Sequence, residues 1–293
     1  MENKLVIGTA NFGMAYGQGV NPEELSVSSI NNILKCAKHL GISILDTAIS
    51  YGDSTKKLGK LGVESWNVIT KVPKIPHKIE KVDNWITDCI TKSLEVIKIS
   101  KFEAVLIHNP RDLVGVNGIE LVNALKKVKE RGLTRKIGVS IYEKSDLDNF
   151  FDLFHPDIIQ CPFNIVDNRL LQKNYLSKLS KLGIEIHVRS IFLQGLLTSN
   201  HENIPDDFKK FKSFWTHWHS WLKSRKLQPV EACVRYVNSI KEIDRIIVGV
   251  NSPLHLEEIF NNYNKPPIYE VPSLISSLKK ELIDPRLWKK TKA

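Results

Sequence analysis

Hydrophobic positions along the chain follow two alternating rhythms. Short apolar runs such as Leu5-Val6-Ile7, Ile44-Leu45, Val68-Ile69 and Ala104-Val105-Leu106-Ile107 are too brief for helices and read as buried strands. Between them apolar residues recur at three and four: Val27, Ile30, Ile33, Leu34, Ala37 and Leu40 before Gly41, then Val82, Trp85, Ile86, Cys89, Ile90, Leu94 and Ile97. That spacing predicts helices with one buried face. Strands are expected at about 5–9, 44–46, 66–71, 104–108, 136–140, 157–161, 184–189 and 244–248. Helices are expected over 27–40, 54–61, 82–97, 116–131, 145–151, 168–182, 228–237 and 253–259. Gly8 to Gly13 reads as a small-residue loop.

Strict alternation of strand and helix argues for a parallel sheet with crossover helices, and eight repeats favour a closed (β/α)8 TIM barrel, an α/β fold. No GxGxxG follows the first strand, which weighs against an open dinucleotide-binding sheet. Residues 1–293 read as one domain. An extra helix is expected at about 207–224, with Phe208, Phe211, Trp215, Trp218 and Leu222 on one face, most simply its buried face. A tail over 265–293 contains an apolar helix near Leu274 to Leu282.

Composition narrows the partners. The net charge of +10 comes from lysines spread along helices, with no long basic arm, so a solvated surface is the reading and nucleic acid is not expected. No apolar run of about 18 residues occurs and Met1-Glu2-Asn3-Lys4 is no leader, so neither membrane span nor signal peptide is expected. Cys36, Cys89, Cys161 and Cys233 lie far apart without CxxC spacing, which reads as free thiols in a cytoplasmic protein with no metal site. A monomer or weak homo-oligomer acting on a small molecule is the expectation.

The chemistry lies at the strand ends. The second strand ends in Asp46 with Tyr51 five residues on, the third in Lys71 and the fourth in His108. In a parallel barrel such ends converge on one face. A tyrosine of pKa about 10 is a weak acid at neutral pH, and a lysine beside it would bring that value down while a carboxylate fixes the lysine. Histidine could orient a carbonyl oxygen or relay a proton. Such a set can protonate an alkoxide forming on a carbonyl carbon.

Asp46-Thr47-Ala48-x-x-Tyr51-Gly52, Ile69-Thr70-Lys71 and Leu106-Ile107-His108 resemble, in order and placement, the catalytic tetrad of the aldo-keto reductase superfamily. Gly8-Thr9, Gly138-Val139-Ser140, Gln160 with Pro162-Phe163-Asn164, and Val248-Gly249-Val250-Asn251-Ser252-Pro253 extend the resemblance over nearly the whole chain. It implies reduction of an aldehyde or ketone by a nicotinamide cofactor, usually NADPH with NADH as the alternative, Tyr51 giving the proton. It further implies that Gly8 and Thr9 border the cofactor and that Ser140 and Gln160 hold the carboxamide. Ser190 to Leu196, with Gly195, would line the pyrophosphate, and Gly249, Asn251, His255 and Glu258 the adenosine half.

Three departures stand out. Family members often carry arginine where His255 stands, many carry asparagine where Ile141 stands, and many place an aromatic residue where this chain has Arg189. A guanidinium at that point could stack on the nicotinamide or meet an anionic substrate. The segment Val188 to Gly195 resembles a bacterial subgroup associated with surface-polysaccharide and sugar-modification genes, implying a keto-sugar or nucleotide-linked sugar. Phe12, Tyr16 and Asn109 are the expected substrate contacts. Two alternatives remain open at this stage: a lyase using Lys71 as a Schiff base, which a close Asp46 would oppose, and a non-catalytic nucleotide-binding member.

Overall fold

Eight parallel strands close into a barrel in sequence order: β1 (Leu5–Gly8), β2 (Ile44–Asp46), β3 (Asn67–Val72), β4 (Phe102–Ile107), β5 (Thr134–Ser140), β6 (Ile158–Pro162), β7 (Glu185–Arg189) and β8 (Arg245–Gly249). The ring closes where Leu5 to Gly8 pair with Ile246 to Gly249. This computed structural model describes residues 3–18, 24–76, 78–272 and 280–288, with the backbone alone at 172 and 173. The helices are α1 (Ala10–Gly13), α2 (Val27–His39), α3 (Ser54–Leu61), α4 (Val82–Ile97), α5 (Gly118–Glu130), α6 (Lys144–Asp148), α7 (Tyr175–Lys181), α8 (Asp206–Lys209), α9 (Lys212–Arg225), α10 (Pro229–Asn238), α11 (Pro253–Tyr263) and α12 (Lys280–Ile283). The tail helix expected from Leu274 lies outside the described residues as far as residue 279.

The two faces of each strand feed two cores. One parity of each strand packs outward on the apolar faces of the helices, as Ile7, Leu45, Val68, Val105, Val139, Ile159, Val188 and Val248 do. The other parity fills the barrel with a smaller cluster of Val6, Ile44, Ile69, Ala104, Leu106, Ile158 and Ile247. Each fully buried Ile or Leu contributes roughly 1.5–3 kcal/mol. The inner cluster forms a floor, and the strand ends rise above it.

Three expectations change. Gly8 to Gly13 is not a loop throughout: Phe12 N bonds Thr9 O at 3.1 Å and α1 makes a turn that sends Phe12, fully buried, into the outer core. The helix expected over 168–182 splits into a 3-10 turn, Arg169–Asn174, and α7, because Asn174 stands at φ 56°. The aromatic stripe divides into α8 and α9, stitched where Trp215 Nε1 donates to Phe208 O at 3.0 Å. Trp215, Trp218 and Leu222 are buried.

Candidate active site

Side chains along a strand alternate between its two faces. Two residues beyond Ile44, Ile69 and Leu106 of the inner cluster stand Asp46, Lys71 and His108. The same step leads from Ile158 to Gln160, from Ile247 to Gly249 and from His187 to Arg189. One periodicity therefore gathers these groups at the top of the barrel.

Asp46 and Lys71 meet at 2.6 Å with side chains 5% and 1% exposed. Lys71 Nζ also donates to Thr47 O at 2.9 Å, and the second Asp46 oxygen accepts from Gln160 Nε2 at 2.8 Å. A carboxylate accepts only, so the Gln160 amide is oriented unambiguously. Its Oε1 is left buried with no donor. The Asp46 backbone is held as well: Thr9 N and Thr9 Oγ1 both donate to Asp46 O, at 2.9 and 3.1 Å, and Ser54 Oγ donates to Thr9 Oγ1 at 2.9 Å. Burial pulls the Lys71 ammonium below its ordinary range, and Asp46 opposes that pull.

Tyr51 is placed by two glycines. Asp53 N donates to Gly13 O at 3.2 Å, so backbones touch where α1 meets the loop after β2. A Cβ on Gly13 would lie 2.1 Å from Tyr51 O, and one on Gly52, at φ 49°, 2.0 Å from Gly13 O. The Tyr51 ring then lies 5.2 Å from Lys71 Nζ and edge-on to His108, with centroids 5.8 Å apart. Burial, followed by the Asp46 charge, pushes the Tyr51 phenol above its usual value, with Arg189 opposing. In place of the lowering expected from Lys71, burial prevails in the resting site. His108 is lowered to about 3 by burial and then by the Lys71 and Arg189 charges, so its ring is neutral. Its Nδ1 lies 3.2 Å from Ser50 Oγ, a partner nothing in the sequence indicated.

Beside Tyr51 runs a cleft of about 380 Å³ lined by Gly8, Thr9, Tyr16, Asp46, Arg189, Ser190, Gly195, Gly249, Asn251 and His255, among others. Of the other expected cofactor residues, Leu196, Ser140 and Gln160 are buried and Glu258 is exposed, and none of these four lines it. Ser140 and Gln160 pair with each other at the ends of β5 and β6. Phe12 is turned away into the core, whereas Tyr16 lines the cleft with 44% of its surface exposed. Asn11 ties the rim together, donating to Val250 O at 2.7 Å and Asn251 Oδ1 at 2.8 Å, while its own Oδ1 is buried without a partner. After β7 the backbone takes positive φ at Ser190 (60°), Leu193 (51°), Gln194 (55°) and Gly195 (94°). Non-glycine residues in that region carry strain that tends to collect at ligand sites.

A second hollow of about 820 Å³ lies beyond Tyr142, lined by Asn109, Lys74, Arg111, Glu143, Lys280 and Arg286 among others. Asn109, expected at the substrate, is there, donating to Asp112 at 2.8 Å. The Tyr142 ring is approached by Arg189 at 4.5 Å and by Arg286 at 4.3 Å. Arg286 is braced by Asp284 at 2.6 Å and Glu143 at 3.2 Å, and Lys280 meets Glu143 at 2.9 Å. Residues 280–288 thus form one wall beside the site. Among the described residues no cluster of three metal-ligating side chains occurs, and no helix is long and apolar enough to cross a membrane.

Comparison with known proteins agrees with this architecture. The chain is 25% identical to L-galactose dehydrogenase of Arabidopsis thaliana over 86% of its length and 81% of that protein. It is 30% identical to an aldo-keto reductase of Mycolicibacterium vanbaalenii over 48% of its length and 52% of that protein. The structure of a glycerol dehydrogenase from Gluconobacter oxydans superposes with a TM-score of 0.72, covering 94% of this chain and 90% of that one at 19% identity, a likeness of fold. The profile of the Aldo/keto reductase family matches residues 4–274. The protein belongs to the aldo/keto reductase family of NAD(P)H-dependent oxidoreductases.

Proposed function

We propose that the protein reduces an aldehyde or ketone with NADPH, and that Tyr51 delivers the proton. The observation that carries this reading is the buried Asp46–Lys71 pair beneath Tyr51 at the end of the cleft. A bound nicotinamide supplies the hydride. Tyr51 is a neutral phenol at working pH, so it holds the proton until an alkoxide develops against it. The Lys71 ammonium steadies the negative charge left on the phenol, and Asp46 keeps that ammonium in place. His108, neutral, offers a ring N–H to the carbonyl oxygen when Ser50 donates to Nδ1.

Gln160 fits a carboxamide. Its Oε1 is an orphaned acceptor, and an amide NH2 is the donor it lacks. Asn251 and His255 line the cleft at the end of β8, where the adenosine half would lie. Burial lowers His255, with Glu258 opposing, so a 2′-phosphate would meet a neutral ring rather than a cation and the preference for NADPH over NADH would be modest. A polyhydroxylated, sugar-like substrate is supported by the L-galactose dehydrogenase relative. Schiff-base chemistry at Lys71 has no such support: its Nζ is engaged by two acceptors and does not line the cleft.

The test is Tyr51→Phe. NADPH oxidation with sugar aldehydes should fall about 100-fold or more, as for loss of a general acid, while the NADPH dissociation constant stays within about threefold. A variant that keeps more than about a tenth of wild-type kcat would remove Tyr51 from the proton-donor role.

A further inference from the structure

Arg189 occupies the last inward position of β7 and lines the cleft together with Tyr16, Asp46 and Tyr51. Its guanidinium is partly buried, yet its contacts are one bond from Nη2 to Ile141 O at 3.2 Å and the face of Tyr142. Arg169, Arg235 and Arg286 each meet a carboxylate, at 2.7, 2.6 and 2.6 Å. Arg189 meets none among the described residues. Arginine cannot shed its proton to escape burial. An unpaired guanidinium in such a site is costly unless an anion arrives to meet it.

The anion belongs at the Tyr51 end of the cleft. The Arg189 charge is felt at Tyr51 and His108, which would face the reacting carbonyl, and at Lys71 beneath them. Among the described residues no lysine lines the cleft, and the Lys71 ammonium below it is paired with Asp46. A guanidinium can grip a carboxylate through two parallel N–H···O bonds, and a single uncompensated positive charge is balanced by a monoanion. Resting on the carbonyl-reduction reading above, we propose that Arg189 binds a carboxylate on the substrate, so that the preferred substrates are oxo acids such as sugar acids bearing a free aldehyde or ketone. The carboxylate is unchanged by the reaction. It anchors the molecule while the carbonyl faces Tyr51.

The experiment uses matched pairs in which a carboxylate replaces a hydroxymethyl group: glucuronate against glucose, and glyoxylate against glycolaldehyde. NADPH oxidation is followed for the wild type, Arg189→Gln and Arg189→Lys. The acid should exceed its neutral partner in kcat/KM by about tenfold or more, as expected for a charge-assisted hydrogen bond. Arg189→Gln should bring that ratio near one, and Arg189→Lys should keep part of it, retaining charge without the fork. Glucuronate binding to the NADPH-loaded proteins is measured in parallel by tryptophan fluorescence. Reduction of neutral carbonyls with no preference for acids, or a preference that survives Arg189→Gln, overturns the inference while leaving carbonyl reduction standing. Arg189-dependent glucuronate binding without reduction of any carbonyl supports the anion site and removes the reductase reading instead. Equal loss for acid and neutral substrates with weakened NADPH binding would assign Arg189 to the cofactor and overturn it.

Discussion

Replacing Asp46 by asparagine strips the buried Lys71 ammonium of its counter-charge in a place where that side chain is 1% exposed. Two charge-assisted hydrogen bonds are weakened at once, to Lys71 and to Gln160, each worth about 1.5–3 kcal/mol. The variant can escape part of this by releasing the Lys71 proton. From an ordinary lysine pKa, doing so at pH 7 costs at most about 5 kcal/mol. The expected loss of stability is therefore about 3–5 kcal/mol, the usual result of breaking a buried pair. The pH dependence carries the signature. The unfolded chain keeps this proton up to about pH 10.4 while the folded variant releases it earlier, so unfolding binds a proton and stability rises with pH. Between about pH 7 and 9.5 the Asp46→Asn protein should regain stability at up to about 1.4 kcal/mol per unit. Wild type, in which Asp46 opposes the effect of burial on Lys71, should rise less steeply. Urea unfolding followed by tryptophan fluorescence at several pH values measures both slopes. In Asp46→Asn/Lys71→Met the extra slope should vanish and part of the stability should return. A penalty below about 1 kcal/mol, or slopes equal to wild type, would refute the account of the pair given above.

His108, with its pKa at about 3, should contribute no limb near pH 6.5 to the kcat profile; a limb there that disappears in His108→Gln would contradict the neutral ring. Because its folded pKa lies below the unfolded value of about 6.5, the unfolded state takes up the proton first on acidification. The stability due to His108 is thus lost as pH falls from about 6.5 toward 3, which thermal melts of wild type against His108→Gln will show. His255→Arg should tighten NADPH about tenfold and leave NADH nearly unchanged, since a charged hydrogen bond replaces a neutral one; equal gains for both would remove residue 255 from the 2′-phosphate. Gly52→Ala forces a left-handed residue against Gly13 O, a strain of at least about 1–2 kcal/mol, and should cut turnover sharply by shifting Tyr51. A variant with unchanged melting temperature and turnover would show that this backbone contact does not set the tyrosine.

The barrel was legible because strand and helix periods are local. Ile44, Ile69 and Leu106 mark the inward parity, and Asp46, Lys71 and His108 follow two residues later. What escaped the sequence depends on backbone sense or distant partners. Phe12 sits among small residues suited to a loop, and only the turn of α1 sends it into the core. Asn174 gives no sign of its left-handed φ within an apolar pattern that reads as continuous helix. The partners of Arg189 come from Ile141 and Tyr142, on the loop after β5, so its stacking on Tyr142 was not visible from its own neighbours. Gln160 was expected at the carboxamide, but its bond to Asp46, 114 positions away, was not anticipated. Ser50 and Arg286 could have been suspected only from the rings they touch.

The segment that carries Arg286 belongs to no strand and to none of the helices between strands, yet it touches the ring on which Arg189 rests. A stretch outside the strand-and-helix repeat therefore braces, through Tyr142, a side chain at a strand end. Substitutions between residues 280 and 288 would reshape the hollow beside Tyr142 while every strand end keeps its place, which makes that short stretch a natural target for a library seeking changed substrate preference.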